Sequence, residues 1–185
     1  LIRFMQVSKT TIEGVRIIEP KIFEDSRGYF FESYNQKKFN LANSQDYCFV
    51  QDNQSISSRG TLRGIHFQIE PMAQAKLVQV LEGEIYDVAV DLRKDSKTYC
   101  QWVSVKLSSF NHHQLFIPEG FGHAFLTISD TAKIMYKVSK HYSKEHEKVI
   151  RYDDPKLNIE WPLDDIKLSI KDKNAGFISD SIKYF

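Results

Sequence analysis

The chain has 185 residues, 42% of them hydrophobic and 26% charged, with a formal net charge of +1. That length suits one domain with its own core, so residues 1–185 are read as a single unit. The near-neutral balance gives no support for a nucleic-acid or other polyanionic partner, and no apolar run approaches the roughly 18 residues of a membrane-spanning helix. Cys48 and Cys100 are too few and too far apart for a disulfide framework. With no signal-peptide pattern, the expectation is reduced thiols in a cytoplasm. The chain opens on Leu1, and Met5 is read as the native start.

Turn residues and period-two patterning predict strands at 15–22, 29–34, 48–51, 62–68, 76–81, 85–92, 102–107, 114–117, 123–128 and 133–139. Glu82-Gly83-Glu84 marks a tight hairpin. Helix is expected at 36–43, with single turns near 144–148 and 155–159. Thirteen Phe and nine Tyr suit a β-rich chain and offer stacking surfaces for a planar ligand. The result is an all-β sandwich or barrel, the class that includes jelly rolls.

Alternation then assigns faces. Lys76 lines up with Val78 and Val80, Tyr136 with Ile134 and Val138, His123 with Phe125 and Thr127, and His66 with Leu62 and Gly64. In the run 85–92, Tyr86, Val88, Val90 and Leu92 share one face, with Asp87 and Asp91 on the other. Four ionisable side chains thus sit on interior-type faces. Singly, a strand histidine or a core tyrosine is ordinary, but a lysine among apolar neighbours must be paired, reach solvent or serve a purpose. Their co-occurrence points to an acid–base site. The mixed charge run Lys144-Glu-His-Glu-Lys148 reads as a solvated turn, and Asp172 has no claim of its own.

Pro118-x-Gly120-x-x-His123 resembles half of the metal-binding signature of cupins. The other half would need a His-x-His pair, and the corresponding place reads His66-Phe67-Gln68. His112 and His113 are adjacent and would point to opposite strand faces. The expectation is therefore no catalytic metal.

Longer runs carry a closer resemblance. Asp25-Ser-Arg-Gly-Tyr-Phe-Phe-Glu-Ser-Tyr34, Gln51-Asp-Asn53, Leu62-Arg-Gly-Ile-His-Phe-Gln68, Gln74-Ala-Lys-Leu-Val78 and 83–93 resemble the dTDP-4-dehydrorhamnose 3,5-epimerases. So do 114–123, Tyr136-Lys137, Ile159-Glu-Trp-Pro-Leu163 and Leu168-Ser-Ile-Lys-Asp172, in order over roughly residues 12–172. The resemblance implies a cupin-type jelly roll (a double-stranded β-helix) with a few short peripheral helices, acting without metal or cofactor as a homodimer. Its substrate would be a dTDP-linked 4-dehydro-6-deoxyhexose.

The resemblance also implies roles. His66 would be the base, since an imidazole titrates near neutrality, with Asp172 fixing its tautomer. Lys76 would hold the enolate, and Tyr136 would return the proton. Arg63 and Lys171 would contact the pyrophosphate or sugar, and Gln51, Asn53, His123 and Glu147 complete the matched contacts. Arg27 and Glu32 would reach a ligand on an N-terminal strand that crosses to the partner subunit. Tyr29 and Tyr142 would wall the thymine ring. Close relatives that act at C3 only or on a related nucleotide-linked 4-keto sugar, or that bind a nucleotide sugar without turnover, are the alternatives.

Strict alternation sets Arg63 opposite His66, although both should reach one ligand. Gly64 is a natural bulge position that would break the alternation; otherwise Arg63 reaches a ligand end at the start of the strand. Gly122 and Ala124 flank His123 in the reverse of the commoner Ala-His-Gly order, and 173–185 match no motif.

Overall fold

The structure is a computed structural model that describes residues 5–179 and 184–185. Residues 1–4, ahead of the start read at Met5, and 180–183 in the unmatched C-terminal stretch lie outside the described residues. In chain order the elements are β1 (Met5–Lys9), β2 (Arg16–Pro20), β3 (Phe23–Asp25), β4 (Gly28–Phe30), α1 (Gln36–Asn43), β5 (Gln51–Ser58), β6 (Leu62–Gln68), β7 (Lys76–Glu82) and β8 (Glu84–Asp91). There follow β9 (Trp102–Ser108), β10 (Gln114–Ile117), β11 (Phe121–Thr127), β12 (Thr131–Val138), β13 (Glu147–Val149) and α2 (Ile170–Lys173).

Two antiparallel sheets face each other. One has the order β1-β2-β10-β7-β12-β5 and the other β13-β6-β11-β8-β9, while β3 and β4 form a separate hairpin. Consecutive strands repeatedly cross between the sheets, which is the jelly-roll way of closing a sandwich. Val78, Val80, Leu115, Ile117 and Ile134 from the first sheet meet Ile85, Ala89, Leu107, Phe121 and Phe125 from the second in the central core.

Each sheet is also covered on its outer face. Phe39 of α1, with Tyr47 and Phe49, packs on Ile18, Leu77 and Phe116. Leu157, Ile159, Trp161 and Ile178, with Tyr184 and Phe185, cover Ile65, Phe67, Val88, Val90 and Leu92. The two faces assigned along 85–92 hold, and the packing decides which of them looks inward. Both faces of β8 are buried, and the face carrying Asp87 and Asp91, not the fully apolar one, looks into the sandwich.

The strand expected at 48–51 shares only Gln51 with β5: residues 48–50 are not in a strand, and β5 runs on to Ser58 through alternate residues Gln51, Asn53, Ser55 and Ser57, which are polar and carry no apolar period. The turn expected near 144–148 occupies 144–146 and leads directly into β13, an unexpected strand that pairs with β6. Strands β1 and β3 were not anticipated either.

The register between β6 and β11 decides where the site residues point. His123 pairs with His66 and Phe125 with Arg63, so three steps along β6 match two along β11. The extra residue is a bulge at Gly64–Ile65. Gly64 has φ +123°, and a Cβ there would lie 2.5 Å from the His123 carbonyl oxygen and 2.7 Å from the Ala124 Cα. Only glycine lets the strands approach this closely. The same packing accounts for Gly122, whose Cβ would sit 2.4 Å from Ile65 Cγ2.

Gly64→Ala should therefore destabilise the fold by about 3 kcal/mol, because left-handed backbone and steric conflict coincide. Urea unfolding checks this, and an unchanged midpoint would mean that the β6–β11 contact relaxes freely.

Candidate active site

A cavity of about 540 Å³ lies between the inner faces. The first sheet lines it with Gln51, Asn53, Lys76 and Tyr136, and the second with Arg63, His66, His123 and Glu147. The bulge brings Arg63 and His66 to the same space, and Arg63 Nε donates to Ser57 Oγ at 3.1 Å.

His66 Nε2 lies 2.5 Å from Asp172 Oδ1, across 106 residues of sequence. Asp172 is buried, and its other oxygen accepts from Ser169 Oγ at 2.8 Å. Ser169 also caps α2 by accepting from the Asp172 backbone N–H, so a single turn of helix fixes the carboxylate. Burial raises the Asp172 pKa, but the His66 bond and charge, with Ser169 and Lys171, outweigh it and hold the group below its ordinary value. With its Nε2–H donated to a carboxylate, the imidazole presents Nδ1 as its basic atom.

Lys76 is buried, and its Nζ donates to the His66 carbonyl at 3.1 Å. Burial pushes its pKa down to about 8, while the charges of Asp87 and Glu147 pull it up. Tyr136 stands on β12, paired with Val78 of β7 and Asn53 of β5. Burial pushes its phenol up, against the charge of Arg63 and with that of Glu147.

A second histidine–carboxylate pair adjoins the first. His123 Nε2 lies 2.7 Å from Asp87 Oδ1, and both side chains are buried. Burial lowers the His123 pKa, with Asp87 acting against that shift. The sequence reading did not single out Asp87. The available signal was an aspartate facing away from an apolar stripe on a strand with cover on both sides.

Glu147, placed in a solvated run by the charge pattern and among the ligand contacts by the resemblance, stands in β13 opposite Gln68 and lines the cavity. It accepts from Lys171 at 2.5 Å and from the Tyr142 hydroxyl at 2.9 Å. Burial raises its pKa, but these partners hold it below the ordinary value. Gln51 donates to Asn53 at 2.8 Å and accepts from the Tyr142 backbone N–H at 3.2 Å.

Arg27, Glu32 and Tyr29 are not brought to the cavity of their own chain. Arg27 pairs with Asp25 at 2.5 Å and Glu32 with Lys38 at 2.8 Å. Tyr29 packs on Phe31 and His112. Among the described residues no group of three or more His, Cys, Asp or Glu side chains is arranged to hold a metal ion, and no helix is long and apolar enough to cross a membrane.

A jelly roll with a carboxylate-backed imidazole on one sheet and a buried lysine and tyrosine on the other falls among the acid–base enzymes of the cupin type. The sequence model of the dTDP-4-dehydrorhamnose 3,5-epimerases matches residues 9–180. A dTDP-4-dehydrorhamnose 3,5-epimerase of Shigella flexneri is 52% identical, over 96% of this chain and 98% of its own. The crystal structure of one from Elizabethkingia anophelis superposes with a TM-score of 0.93 at 45% identity, covering 98% of this chain and 100% of that one. A dTDP-6-deoxy-D-glucose-3,5-epimerase from Legionella pneumophila, solved with dTDP-4-keto-L-rhamnose, gives 0.91 at 46%, covering 94% and 92%. The chain belongs to the dTDP-4-dehydrorhamnose 3,5-epimerase family.

Because Asp172 titrates below its ordinary value in the fold, the dyad stabilises the protein above about pH 4 and loses that contribution as pH falls through the folded value. Asp172→Asn should flatten the fall in stability on acidification. Urea midpoints across the acid range check this, and an unchanged acid slope would remove the dyad from the stability of the fold.

Proposed function

We propose that this chain converts dTDP-4-dehydro-6-deoxy-D-glucose to dTDP-4-dehydro-L-rhamnose, inverting C3 and C5 by proton abstraction and return. The observation that carries this reading is the placement of His66 and Tyr136 on facing sheets of one cavity that Lys76 also lines. The C4 ketone acidifies the hydrogens at C3 and C5. His66 Nδ1 takes a proton from one face of the sugar, and Asp172 stabilises the imidazolium that forms. Lys76 holds the charge that develops on the C4 oxygen, where a desolvated cation acts most strongly. Tyr136 gives its proton to the opposite face, which inverts the centre. Solvent then reprotonates the phenol and discharges the imidazolium, and the cycle repeats at the second carbon.

Arg63 and Lys171 suit the diphosphate, Lys171 exchanging its bond to Glu147 for the ligand. Gln51, Asn53, His123 and Glu147 contact the nucleotide and sugar, with Tyr142 against the thymine. The reaction uses no cofactor or metal, and we place the enzyme in the cytoplasm as a single-domain homodimer. In that assembly the β3–β4 hairpin, with Arg27 and Tyr29, and the segment after it, with Glu32, reach the partner's cavity. The exposure of Phe23, Tyr29 and Phe30 on an otherwise unpaired hairpin supports that arrangement.

In deuterated water the product should carry label at both C3 and C5. Label at C3 alone would make the protein a 3-epimerase, and tight binding without label would make it a nucleotide-sugar binder. His66→Ala should slow exchange by roughly 10²- to 10⁴-fold, whereas retained exchange would remove His66 as the base. Treatment with a chelator should leave the rate unchanged; loss restored by a divalent cation would overturn the metal-free reading. The kcat–pH profile should fall on its alkaline side near pH 8, as Lys76 loses its proton. A profile flat to pH 10 would detach Lys76 from the chemistry.

A further inference from the structure

Asp87 is fully buried on the inner face of β8, and the mechanism above gives it no task. Its Oδ1 accepts from His123, while Oδ2 has no hydrogen-bond partner among the described residues. One bond from a neutral imidazole is poor compensation for a buried anion, which is retained only beside opposite charge. The cation within reach is Lys76, which looks in from β7 on the facing sheet and whose largest upward influence is Asp87. Lys76 and Asp87 do not form a direct ion pair; Nζ donates instead to the His66 carbonyl. The carboxylate therefore supplies negative potential without capping the ammonium, which keeps N–H groups for a ligand oxygen.

From this geometry we infer that Asp87 is a positioning residue for the epimerisation, acting through both neighbours: it keeps Lys76 cationic and locks His123 as the neutral Nε2–H tautomer. That tautomer leaves His123 Nδ1 as an acceptor, fitted to a sugar hydroxyl and not to an anionic oxygen. Among the described residues, the other ionisable groups facing Lys76 across the cavity are His66 and Arg63 from β6, His123 from β11, Tyr136 from β12, Glu147 from β13 and Tyr142 from the segment between β12 and β13. Only Glu147 shares the negative sign, and it is already bound to Lys171.

The inference rests on the epimerase reading, and one set of measurements separates the two. If the wild-type enzyme exchanges no label, the epimerase reading itself fails. If it does, Asp87→Asn should move the alkaline limb of the kcat profile toward acid by about one pH unit. That shift should lower kcat about twofold at pH 7 and approach about tenfold at pH 9, with KM changed much less. Asp87→Glu, which keeps the charge, should hold the limb near its wild-type place even where kcat falls. An Asp87→Asn enzyme with reduced thermal stability and an unmoved limb would leave Asp87 a structural residue and overturn the inference. Nitrogen-15 spectra of the wild-type protein need no variant to fold. They should show His123 neutral and protonated on Nε2 between about pH 6 and 8, and an imidazolium or an Nδ1–H tautomer there would overturn the inference equally.

Discussion

Lys76 holds a positive charge in the space between two β-sheets, and much of the site follows from the cost of keeping it there. An ammonium moved from water into a protein interior loses solvation worth far more than any single hydrogen bond returns. Here the compensation is distributed. The His66 carbonyl accepts one N–H, while Asp87 and Glu147 raise the affinity for the proton from a distance. The balance leaves a pKa near 8, a lysine still charged at neutral pH and little solvated. Such a cation is preorganised to meet developing negative charge in a ligand, because no water shell has to be rearranged first.

That requirement also explains why the site spans two sheets. Inverting a carbon needs a base and an acid on opposite sides of the sugar, and a single sheet presents its side chains to one side only. In the proposed reaction the sandwich meets this need, since His66 and Tyr136 stand on facing walls. Alternation would still separate Arg63 from His66. The bulge at Gly64 cancels one step of the alternation and sets the Arg63 guanidinium beside the imidazole without a second strand.

The legible part of the sequence was the part governed by local pattern. The bounds of β6, β10 and α1 match the expected segments, since each combines an apolar period with clear turn or cap residues. Lys76, Tyr136, His123 and His66 were found by asking which ionisable groups share an apolar face. Asp87 was missed because alternation tells which residues share a face and not which face looks inward, and on β8 both are covered. Strand β5 was largely missed because its inward residues line a polar cavity and carry no apolar period. Glu147 looked like surface because its neighbours are charged, although pairing with β6 turns it inward. Asp172 is set beside His66 by the return of the chain across 106 residues, which no local pattern encodes; only the family resemblance could name it.

The two histidine–aspartate pairs share one chemistry and differ by environment. His66 and His123 are direct cross-strand partners, each within 2.7 Å of a carboxylate. The His66 side chain is 31% exposed and that of His123 only 7%. A base must take a proton and release it to solvent every turnover, so the imidazole open to the cavity suits the task. Burial lowers the proton affinity of His123, which favours a fixed neutral ring over a cycling one. The carboxylates differ in the same sense. Asp172 sits on a short C-terminal turn, where among the described residues it answers to His66, Ser169 and Lys171, so it follows the charge of His66. Asp87 lies in the middle of a sheet, where its charge is felt by His123 and Lys76 together. In the proposed reaction one pair moves protons and the other keeps the neighbouring charges in place, a division set by depth of burial alone.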